Sequence, residues 1–312
     1  MYKTKRIDDN SYEEIRVLYR RCFGIRTKLS KIKLKYDTSM FGVKNVGILA
    51  KGENDDPAAY YGVFPIILSY DNKDYSAAQS GDTMTAPNHR KKGLFTRLAK
   101  ETYSLADNLG IRLVFGFPNE NSFPGFKHKL DWRFSGNMWR FTMKINTIPF
   151  CELAGRFAFV SPLYALYSKL RIARYKVAAD NVSLTGFNFT NVTGFVKKDM
   201  NFFDYKLAKK GVHLVRIGSF EMLIKLETHL YIGEISVFDP SKIKSCIQSI
   251  NRLARKMGCK KVILTLSSHH WLFEILAQEI EPQESLPIGF YVIDESIDIG
   301  KIQFCNADYD TF

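Results

Sequence analysis

At 312 residues, with 46% hydrophobic and 14% aromatic side chains, the chain has the length and composition of a soluble globular protein with one large domain or two of ordinary size. Its five cysteines stand far apart, without a CxxC pair or a histidine at metal-ligand spacing, which argues for a reducing compartment and against a metal site. A net charge of +13 without a basic tail or Arg-rich run narrows the partners beyond solvent to a phosphate-bearing cofactor, nucleic acid or an anionic membrane surface.

The opening residues MYKTKRIDDNSYEEI hold no apolar core, so no signal peptide is expected and the chain reads as cytoplasmic. Tyr2 to Ile7 predicts a short strand. Asn10-Ser11 then offers an N-cap to a helix carrying Ile15, Leu18, Tyr19 and Cys22, with Glu13 and Glu14 in the first turn where the helix dipole favours them. A more basic helix follows over Leu29 to Tyr36. Val46 to Ala50 is a strand, and the long run from Ala58 to Pro87 holds two or three strands broken at Asp71-Asn72, an antiparallel meander.

The stretch from Ala78 to Phe117 carries the chemistry. Gly81 to Ala86 ends at Pro87, and Arg90-Lys91-Lys92-Gly93 is a basic glycine turn. Leu94, Leu98, Leu105 and Leu109 follow at helical spacing, Gly110 stops the helix, and Ile111 to Phe115 has strand composition. Such a unit points free N–H groups of a helix N-terminus, a glycine backbone and several cations at one spot, which suits a phosphate. Asn121-Ser122 begins a short helix through Lys129, and Trp132 to Ile145 is a strand.

From Asn146 to about Asn181 the pattern changes. Leu163, Leu166, Leu170 and Ala173, with Lys169, Arg171, Arg174 and Lys176, predict an amphipathic helix with a basic end. It is too short, and too broken by Pro162, to span a bilayer. An interdomain helix is expected, with an interfacial membrane helix as the alternative. The last third repeats the earlier rhythm: a strand at Tyr231 to Phe238, an Asp239 N-cap with Pro240 at N1, and a helix ended by Gly258. A strand at Lys261 to Leu266, a short helix at Trp271 to Gln278, and strands at Gly289 to Ile293 and Ile302 to Cys305 complete it. This order reads as an internal duplication. The second copy has Asp239-Pro240-Ser241 in place of the basic turn, so a second phosphate site is not expected.

These residues resemble the GNAT superfamily of acyl-CoA-dependent N-acyltransferases. Its R/Q-x-x-G-x-G/A motif between strand and helix reads here Arg90-Lys91-Lys92-Gly93-Leu94-Phe95, with Phe95 departing from the small last residue. Leu130-Asp131-Trp132 stands where the family often has Leu-Gly-Phe. The resemblance implies an α/β (α+β) fold of two GNAT-like domains, each a mixed twisted sheet flanked by helices. Residues 1–145 would bind CoA, 146–195 connect, and 196–312 form a degenerate tandem copy.

It further implies acetyl-CoA as acyl donor, no metal, and the amine of a small acceptor such as an amino sugar or amino acid. Backbone amides of Lys91, Lys92, Gly93 and Leu94 would hold the pyrophosphate, with charge added by Arg90 and Lys92. Backbone groups of Met84, Thr85 and Ala86 would meet the pantetheine, as would Asn121, which is equally read as a helix cap. The family's tyrosine acid is replaced by Phe126 and Lys127, leaving Lys127 as a candidate donor. Asp82, on the face of Met84, is a candidate base or a strand-end residue bonded to backbone. Phe312 closes a docked segment, Asn306 to Phe312, that loosely resembles tandem-GNAT enzymes with a C-terminal carboxylate in the active site; the alternative is a packed end strand. The aromatics Phe187, Phe189, Phe202, Phe203 and Tyr205 would line an acceptor cleft or pack a core. Three other classes of reading stand beside this one: a non-catalytic acyl-CoA-binding module, a nucleic-acid-binding module, and a Fem-like aminoacyl transferase. The intact basic turn argues against the last.

Overall fold

The computed structural model describes residues 2–182, 193–236 and 239–312; Phe187 and Phe189 lie outside them. Two compact units divide the chain, Met1–Gly136 with Leu286–Gly300, and Asn137–Ser285 with Lys301–Phe312. In chain order the elements are β1 (Lys3–Arg6), α1 (Tyr12–Phe23), α2 (Leu29–Tyr36), β2 (Val46–Lys51), β3 (Pro57–Tyr70), β4 (Lys73–Thr85), α3 (Leu94–Asn108), β5 (Leu113–Gly116) and α4 (Phe123–Lys129). They continue with β6 (Arg133–Lys144), α5 (Phe150–Arg156), α6 (Val160–Ala173), β7 (Gly194–Val196), α7 (Met200–Leu207), β8 (Val212–Ile217) and β9 (Phe220–Leu226). The last are β10 (Leu230–Ser236), α8 (Ile243–Lys256), β11 (Lys261–Ser267), α9 (Phe273–Ala277), β12 (Gln283–Val292) and β13 (Ile302–Gln303).

In the first unit the strands run in the order β1-β2-β3-β4-β5-β12. The meander β1 to β4 is antiparallel, β5 is parallel to β4, and Gly289–Val292 of β12 pairs antiparallel with β5. Asp71 and Asn72 both adopt positive φ, the two-residue turn that matches strand twist, so β3 and β4 form one long hairpin. Alternation along β2 and β3 feeds two cores. Leu49, Tyr60 and Phe64 face α1 and α2, together with Ile15, Leu18 and Ile32. Ile48, Tyr61 and Val63 face the other way with Leu94, Leu98, Ala99 and Trp132. The expected Ser11 cap on α1 is absent, because the Ser11 hydroxyl donates instead to the Asp8 carboxylate and accepts the Asp8 N–H. Asp131, where the resemblance expects glycine, takes the left-handed conformation itself at φ 55°.

The second unit holds the order β6-β11-β10-β9-β8, with β7 and β13 paired apart. Here β10 and β11 are parallel, and the other neighbours in that order are antiparallel. Pro162 falls in the first turn of α6, where its missing N–H costs no helical bond, so it does not break the helix. Elements α7, β8 and β9 complete the unit without having carried a clear sequence signal. Phe202, Phe203 and Tyr205 are buried on α7 as core.

A buried polar cluster sits inside this second unit. Lys198 Nζ lies 3.0 Å from Asp308 and 3.7 Å from Glu234, and His270 Nε2 lies 3.4 Å from Glu234. Burial alone would raise the Glu234 carboxyl, but His270 and Lys198 beside it hold it down to about 2.

Candidate functional site

The first unit's site is built where β4 leaves its neighbour. β4 pairs with β5 only over Ala77–Gln79, although it runs on to Thr85, so its edge beyond Gln79 is unpaired among the described residues. The cause lies partly in a β-bulge: Gly81 pairs with Gly62 and Met84 with Tyr60, leaving Asp82 and Thr83 opposite Tyr61. Asp82 takes φ 50°, a left-handed conformation held by its surroundings.

Those surroundings are specific. The Asp82 carboxylate accepts from Tyr19 Oη at 2.5 Å and Tyr36 Oη at 2.9 Å, and pairs with Lys35 Nζ at 2.7 Å. Its side chain is only 8% exposed, so these donors supply what water cannot. Burial pushes the Tyr19 and Tyr36 hydroxyls up, and the Asp82 charge pushes them further, which keeps both as proton donors. Asp82 is therefore no strand-end residue bonded to backbone. Tyr19, Lys35 and Tyr36 carry no sequence signal beyond helical periodicity; a strand carboxylate facing an apolar helix surface was the one hint that such partners exist.

Behind the open edge stands the basic turn. Lys91 and Gly93 have φ 60° and 74°, and Arg90, Lys91, Lys92 and Gly93 are all exposed. No side chain caps α3 and no acid occupies its first turn; the first helical bond runs from Arg97 N–H to Gly93 O. The amides that open α3 are thus left for an outside acceptor, in the positive field of the helix end. An open cleft of about 670 Å³ flanks the turn, lined among others by Tyr2, Gly52, Asn88, His89 and Lys92.

Phe95 is turned inward, its ring edge-on to Phe126 at 5.4 Å and to Tyr61 at 6.0 Å. A Cβ on Gly125 would come within 2.8 Å of that ring, so α4 offers glycine where Phe95 needs room. Phe126 is buried against Trp132 and presents no hydroxyl. A second relay occupies this side of the sheet. The Trp132 indole donates to Tyr103 Oη at 2.9 Å, and Tyr61 Oη lies 2.7 Å from both Tyr103 Oη and Ser80 Oγ, at the start of the open edge.

The remaining expected site residues are placed as follows. The Ala86 N–H donates to Ala58 O on β3, and its carbonyl accepts from the His89 N–H. Backbone groups alternate edges, so Thr85 faces the open side, where its amide meets Cys22 of α1 and its carbonyl lies 3.4 Å from Arg90 Nε. Met84 is buried in the α1–α2 core. Asn121 does not cap α4; Asn119 Oδ1 accepts the amides of Asn121 and Ser122, each at 3.1 Å. Lys127 is exposed, with its ammonium 5.5 Å from the Phe123 ring centre. Phe312 belongs to the second unit, its ring pressed on Gly233 of β10.

The second unit repeats the strand geometry without the opening. β10 pairs with β11 only over Leu230–Ile232, and its register with β9 shifts between Ile232 and Glu234. One edge of β11 is fully taken by β6, so the bridge from Leu266 to Cys305, and the Ser267 N–H bond to Phe304 O, fill the edge that β10 vacates. The segment beyond Cys305 is then fastened by lysines. Lys206, Lys209 and Lys225 donate to the carbonyls of Tyr309, Asp310 and Thr311.

Residues 3–135, covering the bulge, the turn and α3, match the family described as Acetyltransferase (GNAT) domain. This stretch is a GNAT acetyltransferase domain. The match supports acyl transfer in general, with acyl-CoA as the class of donor. Among curated proteins none matches. Among solved structures, a GCN5-related N-acetyltransferase from Kribbella flavida is similar at 12% identity and TM-score 0.59, over 94% of this chain and 72% of that one. Saccharomyces cerevisiae N-myristoyltransferase with bound myristoyl-CoA is similar at 12% identity and TM-score 0.57, over 93% and 82%. A GCN5-related N-acetyltransferase from Sphaerobacter thermophilus aligns over 96% of this chain and 98% of its own, at 12% identity and TM-score 0.53. At these identities the likeness is one of fold.

Proposed function

We propose that the chain transfers an acetyl group from acetyl-CoA to the amine of a small acceptor such as an amino sugar or amino acid. One observation carries this: the unpaired edge of β4 beyond Gln79 ends at an uncapped, acid-free helix N-terminus wrapped by Arg90, Lys91, Lys92 and Gly93. An extended polar arm fits a strand edge that lacks a partner, and a pyrophosphate fits the helix end. The amides of Lys91 to Leu94 would hold the phosphates, Arg90 and Lys92 would add charge, and Thr85 would meet the arm. The donor supplies an activated thioester carbonyl.

The protein's own contribution is proton handling beside that edge. Asp82, fixed by Tyr19, Tyr36 and Lys35, is the carboxylate nearest in the strand to the open edge and the candidate to receive a proton from the incoming ammonium. Tyr19 and Tyr36 donate to Oδ2 and Lys35 to Oδ1, so Oδ1 is the oxygen with room to take the proton. The second unit, with its equivalent edge filled by residues 304 and 305 and Asp239 in place of the basic turn, serves as a tandem partner without a cofactor of its own. CoA release measured over a panel of amines tests the reaction. Acetyl-CoA-dependent release with one amine class supports it, and no release with any amine, from a protein that binds acetyl-CoA, overturns it.

A further inference from the structure

Seven of the thirteen large apolar side chains exposed among the described residues fall between Ile148 and Leu170. Four of them, Phe159, Leu163, Leu166 and Leu170, are 59–75% exposed, and the three leucines lie along one face of α6 at i, i+3 and i+7. Other side chains hold the helix down: Ile172 is buried, Tyr164 Oη donates to Met257 O at 2.9 Å and Tyr167 Oη to Lys256 O at 2.5 Å. Its orientation is therefore fixed, and water meets leucines where an ordinary surface helix shows charge.

Charge is present, at the borders. From Arg156 to Ala179 the sequence has Arg156, Lys169, Arg171, Arg174 and Lys176 and no Asp or Glu. All five are exposed, and none forms an ion pair with a described residue. With about 3.6 residues per turn, Lys169 borders the leucine stripe on one side and Arg174 on the other. A second copy of the same face would bring cations against cations, which disfavours self-association there. An anionic lipid surface satisfies both halves: apolar side chains enter the boundary with the acyl chains while lysine and arginine reach the headgroups. No described helix is long and apolar enough to cross a membrane, so α6 would lie in the surface plane.

We propose that the α5–α6 face is a docking site for an anionic phospholipid surface. The proposal is independent of the acetyl transfer reaction. Cosedimentation of the full chain with vesicles of phosphatidylcholine plus phosphatidylserine, against phosphatidylcholine alone, tests it. Binding is expected to the mixed vesicles only and to fall as salt rises. The variant Leu163→Ser/Leu166→Ser/Leu170→Ser should bind at least about tenfold more weakly with an unchanged melting temperature, since its sites are exposed. Lys169→Glu/Arg174→Glu should lose binding as well. A Leu163→Trp reporter, which adds no polar group, should shift its emission to the blue on mixed vesicles even if the serine variant misfolds. Wild-type protein that stays in the supernatant, an unshifted tryptophan, or a wild-type dimer that the serine variant turns into a monomer would overturn the proposal.

Discussion

In the proposed reading, Asp82 concentrates the chemistry of the first unit into one residue. Its carboxylate is buried, sits at a bulge with φ 50°, and is tied to two helices through Tyr19, Lys35 and Tyr36. Asp82→Asn keeps the shape and removes the charge, so kcat is expected to fall about a hundredfold or more, while KM for acetyl-CoA changes little. Steady-state CoA release, with circular dichroism to confirm the fold, checks this; a kcat within a few-fold of wild type would return Asp82 to a purely structural role. Its place before the basic turn made Asp82 legible as a candidate base. Its partners were not, because they come from helices 46 to 63 residues away in the chain. Asn119 and Asn121 show the same limit at short range, since both are asparagines before one helix and only backbone geometry decides which side chain bonds the turn that leads into it.

In the proposed reading cofactor binding rests on β4, the turn and α3, and the periodicity of Leu94, Leu98 and Leu105 with Gly110 marks the limits of α3 in the sequence. The bulge was hidden, because it depends on register with β3 and leaves no composition mark. Gly93 holds φ 74° with open space around it, so Gly93→Val meets backbone strain without a clash. A cost of roughly 1–2 kcal/mol in acyl-CoA binding or in stability is expected, read by calorimetry and thermal melting. Phe95 is a different case: its departure from the family pattern is balanced by Gly125 on α4. Gly125→Ala should destabilise by about 1–3 kcal/mol through contact with the ring, and Phe95→Leu should recover part of that loss in the double variant. Additive melting-temperature losses for the two changes would exclude the pairing.

Across the whole molecule, strand–helix order was legible from glycine stops and helical spacing up to β6 and again from β10, but not over α7, β8 and β9. A docked end was legible in residues 302 to 312, but its fastening by Lys198, Lys206, Lys209 and Lys225 was not, because those lysines lie far from it in the chain. The buried cluster there ties stability to pH. Glu234 has a folded value near 2, below its unfolded one, so its contribution is complete above about 4.5 and is lost as pH falls toward 2. Acid should therefore destabilise the second unit by an amount on the order of 3 kcal/mol, seen as a falling melting temperature, and Glu234→Gln should flatten that slope. Burial pushes Lys206 down to about 8, so its cost to the fold should ease as pH rises from 8 toward 10.5.

Calorimetric titration of the full chain with acetyl-CoA, beside the variant Arg90→Glu/Lys92→Glu, tests cofactor binding at the basic turn most directly. Saturable one-to-one binding by the wild type, weakened at least about tenfold in the variant, is the predicted result. Absence of binding by acetyl-CoA and by longer acyl-CoAs, or equal binding by both proteins, would contradict it.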